Sequence, residues 1–363
     1  MKHFFITILL FYVALAHGTL HIPTNQELFE NKNILILGGT GFLGKALITE
    51  ILKYNPNTII IYSRDEVKHF NLTKTFPNNP TIQSIIGDIR DYDHLLRVTK
   101  NIDIVFHAAA LKRIDILEDN VEESIKTNII GSLNVFNACV ANQVSKVIFI
   151  STDKACSPVN TYGACKFISE KIFTNYNQNK SSTKCMVARY GNVLDSTGSV
   201  IPIFIAKIKN GEDIPLTHIR MTRFIISKEE AVALVFDALR YGVGGEVFIK
   251  RLPALKVIDL IEVLKEKYNA HNVVKLIGLR PGEKIHEELI NEAVIPRMIA
   301  FNHYFIIRPS VAEQFYNDAK EMPIYVQRGT LFSTETLTGY SSDQALISKD
   351  ELAEIFNKLN LLS

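Results

Sequence analysis

Residues 34–44 read ILILGGTGFLG, an apolar β-run followed at once by a glycine loop and an amphipathic pattern. Glycines let the backbone turn tightly and approach a pyrophosphate, which then lies at the helix N-terminus. Because a strand precedes the glycines and a helix follows them, the segment predicts a dinucleotide site rather than a structural glycine turn. The expected contacts from the loop are Gly38, Thr40, Gly41, Phe42, Leu43 and Gly44.

Apolar runs and helical patterns alternate after this loop. We expect strands at residues 34–37, 58–62, 82–86, 104–106, 147–150 and 184–189, and helices at 42–54, 121–141 and 162–176. Near-continuous apolar strands separated by helices are typical of a parallel sheet covered on both faces. The sequence therefore predicts an α/β fold, a Rossmann-like doubly wound parallel sheet with a smaller C-terminal substrate-binding domain.

Glycines and prolines interrupt the alternation from residue 191 onward. This change of rhythm sets the expected domain boundaries. We expect a dinucleotide-binding domain at 31–190, a substrate-binding region at 191–310 with some elements returning to the sheet, and a C-terminal tail at 311–363.

Composition limits the partners of the chain. With 47% hydrophobic and 21% charged residues among 363, it is an ordinary globular protein, and its net charge of +2 gives no reason to expect nucleic acid as a partner. The four cysteines show no CxxC spacing and no accompanying histidine pair, so we expect no metal site and no disulfide framework.

The N-terminus has a different character. Residues 1–16 begin with Lys2 and His3, continue as a short apolar run and end Ala-Leu-Ala, which predicts a secretory signal peptide. An uncleaved membrane anchor reaching about Ile22 is the first alternative, and a cytosolic chain with an apolar extension is the second. The leader thus favours the secretory pathway or membrane association, with a cytoplasmic location as the alternative.

The ends of the next strands bear on the type of cofactor. Arg64 and Ser63 follow the second β-run and suit a 2′-phosphate, which favours NADP. The alternative is that Asp65 binds the ribose of NAD. Further cofactor contacts are expected after the third and fourth strands from Asp88, Ile89, Ala108 and Ala109, although Asp88 in a turn or helix cap is nearly as well supported.

Residues 151–166 carry the candidate chemistry. Tyr162 and Lys166 are four residues apart and share one face of a helix, where an ammonium is expected to favour the phenolate and lower the pKa of the tyrosine. Asp153 and Lys154 add one acid and one base beyond the needs of simple alcohol oxidation, which suggests a second event such as elimination. The alternatives are a surface ion pair at 153–154 and an ordinary helix face at 162–166.

A series of motifs resembles a known family. They occur in the order GGTGFLG, YSRDE, GDIRD, HAAALK, KTNIIGSLNV, STDKA, TYGACK, ARYGNV, GSVIP, IRMTRF and RPGEK. Together they resemble the extended short-chain dehydrogenase/reductase family of nucleotide-sugar enzymes, and within it the inverting UDP-N-acetylglucosamine 4,6-dehydratases (the CapD-like polysaccharide-biosynthesis group). The resemblance covers residues 31–309. It departs from the family in the leader, in Leu37, and in the tail at residues 340–344.

The resemblance implies roles for the motif residues. Tyr162 and Lys166, which also contact the cofactor, match the YxxxK motif, Lys154 acts at carbon 5 of the sugar, and Asp153 acts on the departing hydroxyl. A subgroup with methionine at the tyrosine position is membrane-bound, and Tyr162 resembles the soluble inverting group instead. The implied substrate is a UDP-sugar, and we expect a homo-oligomer.

A mechanism follows as an expectation. Tyr162 takes the proton of the 4-hydroxyl while hydride passes to NADP, and Thr152 hydrogen-bonds the same oxygen. Lys154, neutral because burial and the nearby Lys166 lower its pKa, takes the carbon-5 proton. Asp153, with a pKa raised by burial, protonates the leaving 6-hydroxyl, and hydride returns to carbon 6. The cofactor is recycled, with no net redox change.

Substrate contacts are expected from the second region and from one lysine of the HAAALK motif. Arginines suit a pyrophosphate because their fork is bidentate and permanently charged. A structural salt bridge or loop hydrogen bond is the alternative for each residue taken singly. The candidates are Lys112, Asn192, Ser199, Arg223, Arg280 and Glu283, the last for a ribose hydroxyl.

Two other functions remain open at this point. An epimerase or reductase of the same fold would return hydride to carbon 4, and Asp153 with Lys154 argues against it because such an enzyme needs no eliminating pair. A non-catalytic dinucleotide-binding protein is the second alternative, and the intact set of Asp153, Lys154, Tyr162 and Lys166 argues against it.

Overall fold

The computed structural model describes residues 21–175, 182–194, 196, 199–310, 323–333 and 337–359. The predicted leader at residues 1–16 lies outside this part of the chain. Among the described residues, no helix is long and apolar enough to cross a bilayer.

A ten-stranded sheet forms the centre of the molecule, in the order β3-β2-β1-β4-β5-β6-β10-β15-β14-β16. The first seven strands in this order run parallel, and the last three are antiparallel. Their bounds are β1 Asn33–Leu37, β2 Thr58–Ser63, β3 Ile82–Ile86, β4 Ile104–His107, β5 Lys146–Thr152, β6 Lys184–Tyr190, β10 Val247–Lys250, β14 Met298–Phe301, β15 Tyr304–Ile307 and β16 Thr330–Leu331. The predicted Rossmann-like doubly wound fold is confirmed.

Helices precede, connect and follow the strands in the described part of the chain. They are α1 Asn25–Phe29, α2 Phe42–Ile51, α3 Glu66–Thr75, α4 Tyr92–Val98, α5 Ile114–Leu117, α6 Val121–Ser124, α7 Gly131–Ala141, α8 Thr161–Thr174, α9 Val200–Lys209, α10 Lys228–Tyr241, α11 Val257–Lys267, α12 Ile324–Arg328 and α13 Lys349–Lys358. The helix expected at 121–141 contains a π-helical stretch, Ile125–Ile130. Each parallel strand of the sheet centre is fully buried on both faces, as in β4 and β5, because helices cover both sides.

A second apolar core lies beside the sheet. It joins α9, α11 and α13 with residues such as Phe204, Leu260 and Phe356. Its short strands are β7 Asn192–Val193, β8 Ile214–Leu216, β9 Thr222–Ile226, β11 Ala254–Lys256 and β12 Val274–Leu276. They pair as β11-β9-β7 and β12-β8.

The C-terminal tail returns to both regions. Strand β16 extends the edge of the central sheet through β14, and β17 (Tyr340–Ser341) pairs with β13 (Glu288–Ile290). Helix α13 places Phe356 in the second core. The tail therefore pairs with strands β13 and β14, which follow the RPGEK motif in the sequence.

Candidate active site

The glycine loop is shaped by close backbone approach. Gly38 has φ +78°, and a Cβ there would lie 2.8 Å from the backbone nitrogen of Ala109, so the loop is in close contact with the segment that follows β4. Gly41 is the N-cap of α2 and provides no side-chain cap, which leaves the first amides of the helix to an outside acceptor. A Cβ on Gly44 would lie 2.4 Å from the Gly39 carbonyl oxygen. These residues fit a pyrophosphate cradle.

Polar groups continue from this loop to the end of β2. The Ser63 hydroxyl lies 2.9 Å from Thr40 Oγ1 and 2.9 Å from Nε2 of the buried His69. Asp65 caps α3 by accepting from the Lys68 amide at 3.0 Å. Asp65, which was considered as the ligand of the NAD ribose, therefore already serves as the N-cap of α3.

Two arginines flank Asp88. Arg90 donates to its carboxylate from Nε at 2.9 Å and from Nη2 at 2.7 Å, and Arg64 Nη1 lies 3.6 Å from Oδ2. Burial opposes the charge on Asp88, but its bonds with Arg90 keep its pKa below the usual value. Ile89 is buried next to it and packs against Gly131. Sequence reasoning found Arg64 and Asp88 but missed Arg90.

The central feature is a buried ionic cluster at the end of β5. Lys154 Nζ lies 2.9 Å from Asp153 Oδ1 and 3.3 Å from Glu287 Oε1, and Arg223 Nε lies 3.8 Å from the same Glu287 oxygen. Thr152 donates to Asp153 Oδ1 at 3.0 Å. Asp153 is 0% exposed, so the alternative of a surface ion pair is wrong. Asp153 Oδ2 and Glu287 Oε2 are buried without a hydrogen-bond partner among the described residues.

The protonation of this cluster differs from expectation at Lys154. Burial opposes its charge, but the two carboxylates raise its pKa above the usual value, so it is an ammonium and the predicted neutral lysine is wrong. The expectation for Asp153 is confirmed, because burial raises its pKa and the attraction of Lys154 does not offset that. Burial also opposes the Glu287 carboxylate, yet Lys154 and Arg223 lower its pKa.

Tyr162 and Lys166 also differ from expectation. Burial raises the pKa of Tyr162 to about 12, and the cation that counteracts this is Lys154, with a smaller effect from the side-chain hydrogen bond between Tyr162 and Thr152. Lys166 donates instead to the Ile150 carbonyl and lies 3.8 Å from the centre of the Phe149 ring. Burial lowers the pKa of Lys166 to about 7. The expected lowering of the Tyr162 pKa by Lys166 is therefore wrong for this arrangement.

Local packing fixes the distance between α8 and the cluster. Asn160 caps α8 by accepting from the Gly163 amide at 2.7 Å. A Cβ on Gly163 would lie 2.3 Å from the Lys154 carbonyl oxygen, so only glycine permits this approach. Asn160 also donates to the Gly282 carbonyl at 2.8 Å, which docks the loop of the RPGEK motif onto the start of the helix.

The predicted substrate residues do not lie in one place. Arg223 lies within the cluster, whereas Arg280 and Glu283 pair with each other, 4.0 Å apart, in the loop after β12. The other three are placed separately: Lys112 and Asn192 are exposed, and Ser199 Oγ is buried at the start of α9 without a partner among the described residues. Their roles stay predictions.

Two supporting layers were missed by sequence reasoning. Ser342 of the tail accepts from the Glu287 amide at 2.9 Å and contacts Thr222 Oγ1 at 2.6 Å. Behind β5, Arg189 and Glu170 form a buried pair at 2.5 Å. Glu287 was missed because it lies far along the chain from Lys154, and no local pattern marks it.

The other buried titratable groups have simpler roles. His107 is fully buried against Phe149 and Phe173, as expected for a packed residue. All four cysteines are buried and free. Within the described ranges, no group of three or more histidine, cysteine or acidic side chains has a metal-binding arrangement.

A doubly wound sheet, an open glycine loop at α2 and a buried acid–base cluster at the end of β5 define the class of dinucleotide-binding α/β enzymes. The family model described as "Polysaccharide biosynthesis protein" matches residues 34–309, and the chain belongs to that family. The resemblance to the nucleotide-sugar dehydratases and epimerases is confirmed.

Three relatives illustrate the match. The chain is 42% identical over 336 residues to the UDP-N-acetylglucosamine 4,6-dehydratase (inverting) of Campylobacter jejuni, covering 91% of this chain and 98% of that protein. It is 40% identical over 286 residues to a UDP-glucose 4-epimerase of Rickettsia bellii, covering 77% and 84%. The X-ray structure of Pen from Bacillus thuringiensis matches with a TM-score of 0.83 and 36% identity, covering 92% of this chain and 99% of that one.

Proposed function

We propose that the chain is a nucleotide-sugar 4,6-dehydratase, a hydro-lyase that acts on UDP-N-acetylglucosamine and inverts carbon 5. The observation that carries this proposal is the Asp153–Lys154 pair at 2.9 Å, buried beside Tyr162 with one Asp153 oxygen unpartnered among the described residues. An unpartnered buried carboxylate oxygen is costly unless a ligand completes it. The 6-hydroxyl of a hexose is such a ligand.

A nicotinamide dinucleotide bound to the chain would supply one part of the chemistry, which is a reversible hydride acceptor next to the sugar. Its pyrophosphate fits the cradle of Gly38, Gly41 and Gly44 at the start of α2. The residues of the chain must move the protons.

Oxidation requires the Tyr162 phenolate to receive the 4-hydroxyl proton. The ammonium of Lys154 is the cation that favours this phenolate, and Thr152 is a hydrogen-bond partner of the same oxygen. The oxidation step therefore uses Lys154 in its charged form.

Elimination requires Lys154 in its neutral form, so that it can accept a proton, and Asp153 as a carboxylic acid. Transfer of one proton from Lys154 Nζ to Asp153 Oδ1, across 2.9 Å, creates the carboxylic acid and the neutral amine together without changing the charge of the cluster. Lys154 then takes the carbon-5 proton, Asp153 protonates the departing hydroxyl, and the original ion pair is restored. Return of hydride to carbon 6 requires one proton on the opposite face of carbon 5, which inverts that centre, and the proton that Tyr162 took from the 4-hydroxyl balances it and leaves the phenolate restored. The raised pKa of Asp153 makes this transfer less unfavourable.

We propose NADP as the cofactor, with NAD as the alternative. Arg64 after β2 and Arg90 after the neighbouring β3 place two guanidinium groups beside Asp88, and Asp65 is occupied by the α3 cap. If Arg64 binds a 2′-phosphate, Arg64→Ala will weaken NADPH binding and leave NADH binding unchanged in a fluorescence titration. Arg113→Ala, which removes an exposed arginine paired with Asp115, is the control.

A 4-epimerase of the same fold is the second candidate, because the Rickettsia relative carries that name. Incubation with UDP-N-acetylglucosamine and catalytic NADP, followed by mass spectrometry, separates the two. The dehydratase gives a product lighter by one water without added reductant. A new stereoisomer of unchanged mass identifies an epimerase, and unchanged sugar contradicts both.

A further inference from the structure

Lys154 has a second carboxylate that the mechanism above does not use. Its Nζ lies 2.9 Å from Asp153 Oδ1 on its own turn and 3.3 Å from Glu287 Oε1, which the segment after the RPGEK motif brings from the other side. We infer that Glu287 is a positioning residue that stays ionised and holds the Lys154 ammonium, while Asp153 exchanges the proton. This inference rests on the proposed function, since it assigns how the same base is controlled.

The surroundings of the two carboxylates support different tasks. Glu287 faces Arg223 at 3.8 Å, is influenced by Lys284, and has its backbone amide bonded to Ser342. Asp153 receives hydrogen bonds only at Oδ1 among the described residues, from Thr152 and Lys154. Because each carboxylate has one oxygen without a partner there, the difference between them lies in the additional cations near Glu287.

Burial acts on both carboxylates, but the neighbouring charges separate their pKa values. The Asp153 pKa lies above its usual value, whereas Lys154 and Arg223 bring the Glu287 pKa below it. Two nearby carboxyl groups with opposite shifts take different roles, one as the proton carrier and one as the fixed charge.

Glu287 also affects the strength of the base. The charged and titratable groups that face Lys154 are Asp153, Glu287, Arg223 and the Tyr162 phenol, and of these Glu287 and Asp153 raise its pKa. A lysine with a higher pKa is a stronger base for the carbon-5 proton once it has passed its own proton to Asp153.

The test uses the full-length enzyme and the isosteric variant Glu287→Gln. Loss of one negative charge at 3.3 Å lowers the Lys154 pKa. Because the cluster works with one proton shared between Lys154 and Asp153, loss of that proton to solvent stops turnover, so the fall of kcat at high pH moves to lower pH by about one to three units. The plateau of kcat falls more than KM rises, because the base is weaker. Glu287→Asp keeps the charge and restores the pH profile towards the parent, and Glu288→Gln, on the adjacent residue, leaves it unchanged.

A second measurement does not depend on turnover. In ¹³Cε-lysine NMR without substrate, with Lys154 assigned by Lys154→Arg, the Lys154 signal titrates at lower pH in Glu287→Gln than in the parent. Arg223→Gln moves the titration to higher pH, since Arg223 lowers the Lys154 pKa, and this variant serves if Glu287→Gln does not fold.

The outcomes separate the two proposals. An unmoved pH profile and an unmoved NMR titration overturn the role of Glu287 even if the enzyme is a dehydratase. Absence of turnover in the parent overturns the proposed function, and the NMR titration still decides on Glu287.

Discussion

The Arg189–Glu170 pair and the Asp153–Lys154–Glu287 cluster are both removed from water on folding, yet they are completed differently. In the first, both Glu170 oxygens accept from Arg189, Ser151 adds a further bond, and Arg189 also donates to the Leu289 carbonyl. In the second, two carboxylate oxygens have no partner within the described residues. We refer to them as the closed cluster and the open cluster.

The difference shows what each cluster is for. A buried charge that has all its bonds made is a structural element, whereas one with missing bonds retains a cost that a ligand can remove. The closed cluster joins α8, β6 and the carbonyl of Leu289 in β13, and so it supports the open cluster from behind.

The largest effect on stability is expected in the closed cluster. Arg189→Met leaves the Glu170 carboxylate buried and unpaired, so the free energy of unfolding falls by about 3–5 kcal/mol. Denaturant unfolding measures this loss, and Lys207→Met, in the exposed Lys207–Glu212 pair, is the control with a cost of about 0–1 kcal/mol. A loss for Arg189→Met no larger than the control would contradict the structural role.

His107 shows that a buried atom without a hydrogen-bond partner does not by itself indicate a functional site. Its Nδ1 has no partner in the described part of the chain, but it is a neutral group packed in the core, and burial lowers its pKa from 6.5 to about 3. Because the unfolded chain binds a proton that the folded protein rejects, stability is lost as the pH falls from about 6.5 towards 3.

The expected slope is at most about 1.4 kcal/mol per pH unit for this one group. His107→Gln removes this contribution from the pH dependence of unfolding, and the exposed His303→Gln does not. If the two variants have the same slope, His107 does not govern acid stability.

A substitution at Gly163 changes the spacing between α8 and the open cluster without changing any charge. A Cβ 2.3 Å from the Lys154 carbonyl oxygen forces α8 and the open cluster apart, so Gly163→Ala costs about 1–3 kcal/mol and lowers kcat. Both are measured on the purified variant by unfolding and steady-state kinetics. Gly211→Ala, where a Cβ meets nothing within 4 Å but φ is +70°, is a control for backbone strain away from the site. Parent activity in Gly163→Ala would show that the spacing does not matter.

The smallest effect is expected from the tail. Ser342→Ala removes the acceptor for the Glu287 amide at 2.9 Å, which costs about 1–2 kcal/mol and loosens one side of the open cluster. Thermal unfolding measures it, and Ser341→Ala in the exposed neighbouring position is the matched control. Equal melting temperatures for the two variants would show that the tail does not stabilise the site through Ser342.

Much of this fold could be predicted from the sequence because its information is local. The apolar run at 34–37 and the glycines at 38–44 determine a strand, a turn and a helix within eleven residues, and the structure confirms each. The antiparallel strands β14, β15 and β16 were not predicted, because their pairing joins segments that only the folded sheet brings together.

The part of the site that is local in sequence could be predicted, but its charges and its distant member Glu287 could not. The motif residues 152–154 and Tyr162 come together as the resemblance implies. The charge of Lys154 was predicted wrongly because Asp153 beside it and Glu287, distant in the chain, together raise its pKa against the effect of burial. The pKa of Tyr162 was predicted wrongly because the Lys166 amine points to the Ile150 carbonyl, and helical spacing alone does not determine that direction.

The most direct test of the account is the variant Asp153→Asn, which removes the acid and leaves Lys154 paired with Glu287. After addition of UDP-N-acetylglucosamine to the NADP-loaded variant, we predict that reduced nicotinamide accumulates by absorbance while loss of water, followed by mass spectrometry, slows by about 10²–10⁴-fold. The free energy of unfolding should stay within about 1 kcal/mol of the parent, since the variant removes a buried carboxylate that lacks a full set of bonds. Dehydration at the parent rate would contradict the assignment of the open cluster as the site of elimination.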